Sequence, residues 1–324
     1  EVGTWEFRAS LPPSANFLNA TSPAYGQPET PRLTVKDGAG YAIIAVGRLD
    51  DQGEGLTEHR KTADFVYRVF RERGFAHEDI LYLREGPNLP SPDVFVDDTT
   101  PSKADLQSAI TTWAVERQVQ APAPLYLVLL DHGNPGKFYM HAGVAGQAAE
   151  VSATELDGYL DTMGTTLTAQ SESVPLTTLF YGACYSGSFV PVLSDTNRIL
   201  IGSSSATQVS HRGTIDPTDG IRDGELFITE LFRGIRRGQT LAVAFERANT
   251  AIAEYTAEES NSDGTHSVPQ TPVLDDNGDG LPADGSLSLA PGEDGALAGV
   301  HVLGFGISNP APPINWLTVT LPFS

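Results

Sequence analysis

The chain has a single cysteine, Cys184, at the end of the apolar run in LTTLFYGACYSGSFV, among Gly182, Gly187 and several hydroxyl side chains. One thiol excludes an internal disulfide, which leaves a small buried hydrophobe or a reactive group. A second apolar run, LYLVLL (125–130), ends in Asp131, His132 and Gly133. A free thiol, with a reference pKa of about 8.5, is mostly protonated at neutral pH, and an adjacent imidazole can take its proton. The thiolate can then attack a carbonyl, and the imidazolium can protonate the leaving amine. The tetrahedral oxyanion needs donors. The backbone N–H groups of Cys184 and Gly133 are the candidates, since glycine lets a backbone approach closely. Cys184, His132 and Gly133 are therefore the expected catalytic set.

Such a set works only if the two apolar runs lie side by side, and the surrounding pattern predicts this. YAIIAV (41–46), ILYL (80–83), LYLVLL (125–130), LTTLFY (176–181) and RILIGS (198–203) read as buried strands. Between them, residues 58–74 place Ala63, Val66, Val69 and Phe70 on one helical face and stop at Gly74. Ser102 can cap a helix carrying Leu106, Ile110 and Trp113. Ser152 and Glu155 have capping-box spacing before another helix. Two more helices are expected over roughly 224–236 and 240–256. Strands alternating with helices imply a doubly wound α/β domain with a mostly parallel sheet and helices on both faces. In such sheets ligands bind beyond the carboxyl ends of the strands, where His132 and Cys184 sit. The expected organisation is an irregular N-terminal extension (1–38), the α/β domain (39–258) and a small β-rich C-terminal appendage (259–324).

The bulk composition narrows the partners. With 41 acidic and 20 basic residues the net charge is −21, which argues against nucleic acid or an anionic membrane. No apolar stretch reaches the roughly 18–20 residues that span a bilayer, so no transmembrane segment is expected. The N-terminal EVGTWEFRAS lacks a basic region followed by an apolar one, which suggests a processed chain. Acidity with 32 Gly and 23 Pro suits a secreted or cell-surface, extracytoplasmic protein.

Taken together, LVLLDHG and LFYGACYSGSF resemble the legumain-like family of caspase-like cysteine peptidases. YAIIAVG and RKTADFVYRVFRERGFAHEDILYL extend the similarity over roughly 40–235. The resemblance implies a caspase-like fold and an endopeptidase with a His/Cys dyad, acting on peptides or proteins after Asn or Asp. It implies no cofactor for catalysis, and it implies self-processing. By the same resemblance Arg60 would bind the substrate side chain. The chain departs from the family at Gly182, where relatives carry an acid, and Glu225 falls near a second pocket acid and could substitute. Glu58 aligns with an Asn that steadies the histidine in some relatives. Ser203, Ser204 and Ser205 fall where the family's pocket wall lies, as substrate contacts or simply as a polar loop.

In LDDNGDGLPADG (274–285), Asp275, Asn277 and Asp279 alternate before Gly280, and Asp284 follows. Hard oxygen ligands at this spacing open a calcium loop, here without the glutamate that ends an EF-hand. A structural calcium is the corresponding expectation, against an Asp/Asn/Gly turn cluster. Two other readings remain open. Gly182-Ala183-Cys184-Tyr185-Ser186 approximates the nucleophile turn of an α/β-hydrolase, in which His211 or His266 would act. Alternatively, the chain is a catalytically silent calcium-binding surface module.

Overall fold

Five apolar runs become parallel strands at the centre of the molecule, for which the computed structural model describes residues 39–48, 56–85, 93–141, 148–257 and 268–304. The expected N-terminal extension, His266 and the β-like stretch 316–321 lie outside the described residues. In chain order, β1 (Tyr41–Val46) leads to α1 (Leu56–Glu72) and β2 (Ile80–Leu83). Next, α2 (Lys103–Ser108) runs through a π turn into α3 (Ala114–Gln120), and β3 (Leu125–Leu130) follows. β4 (Gly133–Asn134), β5 (Lys137–His141) and β6 (Ala148–Ser152) form a small antiparallel sheet. After α4 (Ala153–Ala169), β7 (Thr177–Gly182) leads through a 3-10 turn to α5 (Val190–Leu193) and β8 (Arg198–Gly202). α6 (Leu226–Arg236), α7 (Leu241–Ala257), β9 (Val273–Asp275) and β10 (Ala283–Asp284) complete the described chain.

The main sheet has the order β10-β9-β8-β7-β3-β1-β2. Its first five strands in sequence are parallel, and β9 and β10 join antiparallel at one edge. The strand order reverses between β1 and β3, which makes the crevice beyond their carboxyl ends the expected ligand site. Every residue of β1, β3 and β7 is buried, so both faces of the sheet are covered. On one face Val66, Phe70, Phe232 and Phe245 bring in α1, α6 and α7. On the other, Leu106, Leu156, Leu160 and Leu193 bring in α2, α4 and α5. This is the mixed, mostly parallel, doubly wound arrangement expected from the strand-helix alternation.

Local chemistry sets the helix ends. Ser102 and Ser152 each close a full capping box, with Asp105 and Glu155. After α1 the chain turns at Gly74, whose φ of 95° favours glycine. The expected appendage is a different matter. Its described part is continuous with the main sheet, because Ile201 of β8 pairs with Leu274 of β9. The N–H groups of Leu241 and Ala242 also donate to the carbonyls of His301 and Ala298. The described part of this Asp-, Gly- and Pro-rich region combines turns with buried residues such as Val273, Leu274 and Leu303. Within the appendage expected to be β-rich, the described residues 285–304 form turns, bends and irregular chain. No described helix is long and apolar enough to cross a membrane.

Candidate active site

The register of two neighbouring strands sets where the segments carrying the histidine and the cysteine leave the sheet. β3 pairs with β7 in parallel, from Leu125 opposite Thr177 to Leu130 opposite Gly182. The Asp131 N–H donates to Gly182 O at 3.3 Å and carries the pairing one residue further. His132 and Cys184 are each two positions beyond the last pair, so they leave the sheet at matching places. Gly133 packs directly on the nucleophile segment. A Cβ at that position would stand 2.4 Å from the Cys184 carbonyl oxygen and 3.0 Å from Ala183 Cβ. Only glycine permits this approach, which holds the two backbones together.

The Cys184 thiol is half-buried. Its Sγ accepts the Ser210 N–H at 3.3 Å and has Ser210 Oγ at 3.7 Å. Tyr185 follows in the left-handed region, with φ 58°, and donates its N–H to Gln208 O at 2.8 Å. This left-handed residue turns the chain sharply after the sulfur. Behind it, the Ser203 hydroxyl binds both sides of Ala183, accepting its N–H at 3.1 Å and donating to its carbonyl at 3.0 Å. Ser204 Oγ also donates to the Ala183 carbonyl, at 3.2 Å. Both serines are fully buried, so their hydroxyls clamp the nucleophile segment rather than face a cleft. That corrects the substrate-contact expectation for Ser203 and Ser204. The third serine, Ser205, is half-buried, and its Oγ lies 3.5 Å from the Thr207 N–H.

Glu225 stands next to Gly182. A Cβ at position 182 would meet Leu130 Cδ2 at 2.5 Å, Ile228 Cγ1 at 2.7 Å and Glu225 Cγ at 3.1 Å. There is no room for an acid at 182, and the Glu225 side chain occupies the adjoining space. Glu225 is the N-cap of α6, with Oε2 accepting the Ile228 N–H at 2.9 Å. Its Oε1 is buried with no hydrogen-bond partner. Burial raises its pKa to about 7, against the opposing pull of the Ile228 N–H.

Three functional-looking residues escaped the sequence reading. His59 and Asp131 are both buried, with His59 Nδ1 3.4 Å from Asp131 Oδ1. The His59 ring lies edge-on to His132, with centroids 5.2 Å apart. Gly47 leaves the room that Asp131 fills, since a Cβ there would be 2.9 Å from Asp131 Oδ2. Asp131 was visible as the first residue of the DHG triplet, and His59 as the neighbour of Arg60. Ser210, the third, reaches the sulfur from a loop whose path no local pattern announces.

The remaining expected site residues lie elsewhere. Arg60 lines a cavity of about 430 Å³ with Lys61, Asp64, Arg84 and Asp219, which includes neither the dyad nor Glu225. Burial, then the nearby Arg84, lowers the Arg60 pKa. In the 274–285 loop the oxygens are engaged by the protein itself. Asp275 accepts Ser194 Oγ at 3.0 Å and the Gly280 N–H at 2.9 Å. Asn277 Oδ1 accepts the Asp279 N–H, and Asp279 Oδ1 the Leu281 N–H. Among the described residues, Asp275, Asp279 and Asp284 do not converge as a ligand group. His211, the alternative base, is buried and holds the Val268 carbonyl through Nε2 at 2.8 Å.

Neither a family model nor a curated protein sequence matches this chain. Among solved structures, caspase-1 from Spodoptera frugiperda is similar to it with a TM-score of 0.49 and 14% identity, over 74% of this chain and 89% of that one.

Proposed function

We propose that this chain is a cysteine endopeptidase in which Cys184 is the nucleophile and His132 the general base. The observation that carries the reading is the β3–β7 register, which sends both side chains out of the sheet at matching positions beside Gly133. The legumain-like motifs around both residues support it as well.

In this mechanism the imidazole of His132 takes the Cys184 proton, and Sγ bonds to the substrate carbonyl carbon. The Cys184 and Gly133 N–H groups receive the oxyanion. Collapse breaks the C–N bond, and the imidazolium gives its proton to the departing amine. Water, deprotonated by His132, then attacks the thioester, releases the acid and restores the thiol. An amine in place of water would give transpeptidation. The nucleophile segment, clamped by Ser203 and Ser204, holds its geometry without help from substrate.

The residue before the cut is Asn or Asp in this reading. By the family resemblance Arg60 would read that residue from the cavity it lines, while the wholly buried Glu225 packs beside Gly182 and faces no cleft. Cys184 itself lacks the positive φ that marks the hydrolase nucleophile turn: the left-handed residue of this segment is Tyr185, after the cysteine. Digestion of a peptide library by the full chain tests the proposal. Cleavage after Asn or Asp, lost in both Cys184→Ala and His132→Ala at unchanged melting temperature, is the expected result. Retained cleavage in His132→Ala would transfer the base role to another histidine and end this reading.

A further inference from the structure

The described residues contain one group of three His, Cys, Asp or Glu ligand atoms within 4.8 Å of one another: His59, Asp131 and His132. We infer that this group is a zinc site whose occupation switches the peptidase off. Two imidazoles and a carboxylate make a borderline N/O donor set, which suits zinc rather than calcium or magnesium. His59 Nδ1 and Asp131 Oδ2 are buried and have no hydrogen-bond partner. Unpartnered polar atoms in a buried position are costly, and a metal ion satisfies both at once.

The spacing is also that of coordination. Ligands about 2.0–2.1 Å from a tetrahedral zinc stand about 3.3–3.4 Å from one another. His59 Nδ1 and Asp131 Oδ1 are already 3.4 Å apart without forming a hydrogen bond, the separation of two corners of such a tetrahedron. Asp131 is fixed over Gly47, and His59 is held in α1. The third ligand, His132, is half-buried, and its ring nitrogen already lies within 4.8 Å of the other two ligand atoms. Three protein ligands leave a fourth position for water. Zinc bound here occupies a lone pair of His132, which then cannot accept the Cys184 proton. Binding stands on these three side chains alone, whereas the inhibition rests on the peptidase reading.

The full chain carrying Cys184→Ala, which removes the thiol from the donor set, is titrated with Co²⁺ and followed by visible absorption, with Zn²⁺ as competitor. One equivalent of tetrahedral Co²⁺, displaced by zinc, is expected. Affinity should fall at least tenfold in His59→Ala and in Asp131→Asn, and stay unchanged in His77→Ala. In the parent chain, imidazole NMR resonances of His59 and His132 should shift with zinc while those of His77 and His301 do not, a readout that needs no variant to fold. Absence of stoichiometric binding, or shifts confined to other histidines, overturns the site. In the wild-type chain zinc should abolish cleavage and EDTA restore it. Binding without inhibition of an active enzyme overturns the switch, and a chain that binds zinc but cleaves nothing counts against the peptidase alone.

Discussion

Replacing Glu225 by glutamine should stabilise the protein at alkaline pH and leave it unchanged near pH 4. The side chain is wholly buried, with Oε1 unpartnered, and burial moves its pKa from 4.5 to about 7. A carboxyl whose folded pKa is raised binds its proton more tightly in the native state. Its contribution is therefore intact below pH 4.5 and is lost as the pH rises through 7. About 2.5 units at 1.36 kcal/mol per unit gives a penalty of about 3 kcal/mol above pH 8. Glutamine keeps an oxygen to accept the Ile228 N–H and carries no charge to bury, so it avoids that penalty. Thermal unfolding of the two proteins between pH 4 and pH 8.5 is the assay. The other titrating groups are common to both, so the difference in Tm isolates this residue. The two melting temperatures should coincide at low pH and separate by roughly 5–10 °C in favour of glutamine at pH 8.5. A difference that does not change with pH would refute a neutral, buried acid at this position.

Other perturbations probe the neighbouring parts. Gly133→Ala places a methyl 2.4 Å from the Cys184 carbonyl oxygen, so at least a roughly 100-fold loss of kcat/KM and a destabilisation of about 1–3 kcal/mol are expected, checked by kinetics and by urea unfolding. Arg60→Ala should raise KM more than tenfold for substrates with Asn or Asp before the cut, with a smaller effect on kcat, and Arg60→Lys should recover little because the planar fork is lost. Unchanged kinetics with a lowered Tm would make Arg60 a structural residue of its cavity. Since Asp275 and Asp279 already accept hydrogen bonds from the protein, adding calcium to the metal-stripped chain should raise the melting temperature by no more than about 1 °C, and a larger rise would restore the calcium expectation.

Much of this architecture could be read from periodicity alone. The runs at 41–46, 80–83 and 125–130 are strands at those bounds because continuous apolar stretches bounded by turn residues have few other solutions in a covered parallel sheet. Ser102 and Ser152 announced their helices through side chains that satisfy the first-turn N–H groups. The pairing of the two strands that His132 and Cys184 follow was legible for the same reason, since both are continuous apolar runs of a covered sheet. Non-local features were not. β4–β6 form a hairpin and a third strand from residues with weak alternation. The union of β9 with β8 brings together Leu274 and Ile201 across a long stretch of chain, which composition reads as a loose tail. The serines after β8 were recognised as close to the site, but only the fold shows that Ser203 and Ser204 point back at Ala183. His59 was passed over because its meaning depends on Asp131, which approaches from a different strand.

The dyad itself is tested most directly by covalent capture. The full chain is incubated with a peptidyl vinyl sulfone ending in Asn or Asp, and the rate and site of labelling are followed by intact mass and peptide mapping. One label per chain on Cys184, slowed at least 100-fold in a folded His132→Ala protein, is the predicted result. Equal labelling rates in the two proteins, or a native Cys184 that never reacts, would contradict the pairing of thiol and imidazole on which the account stands.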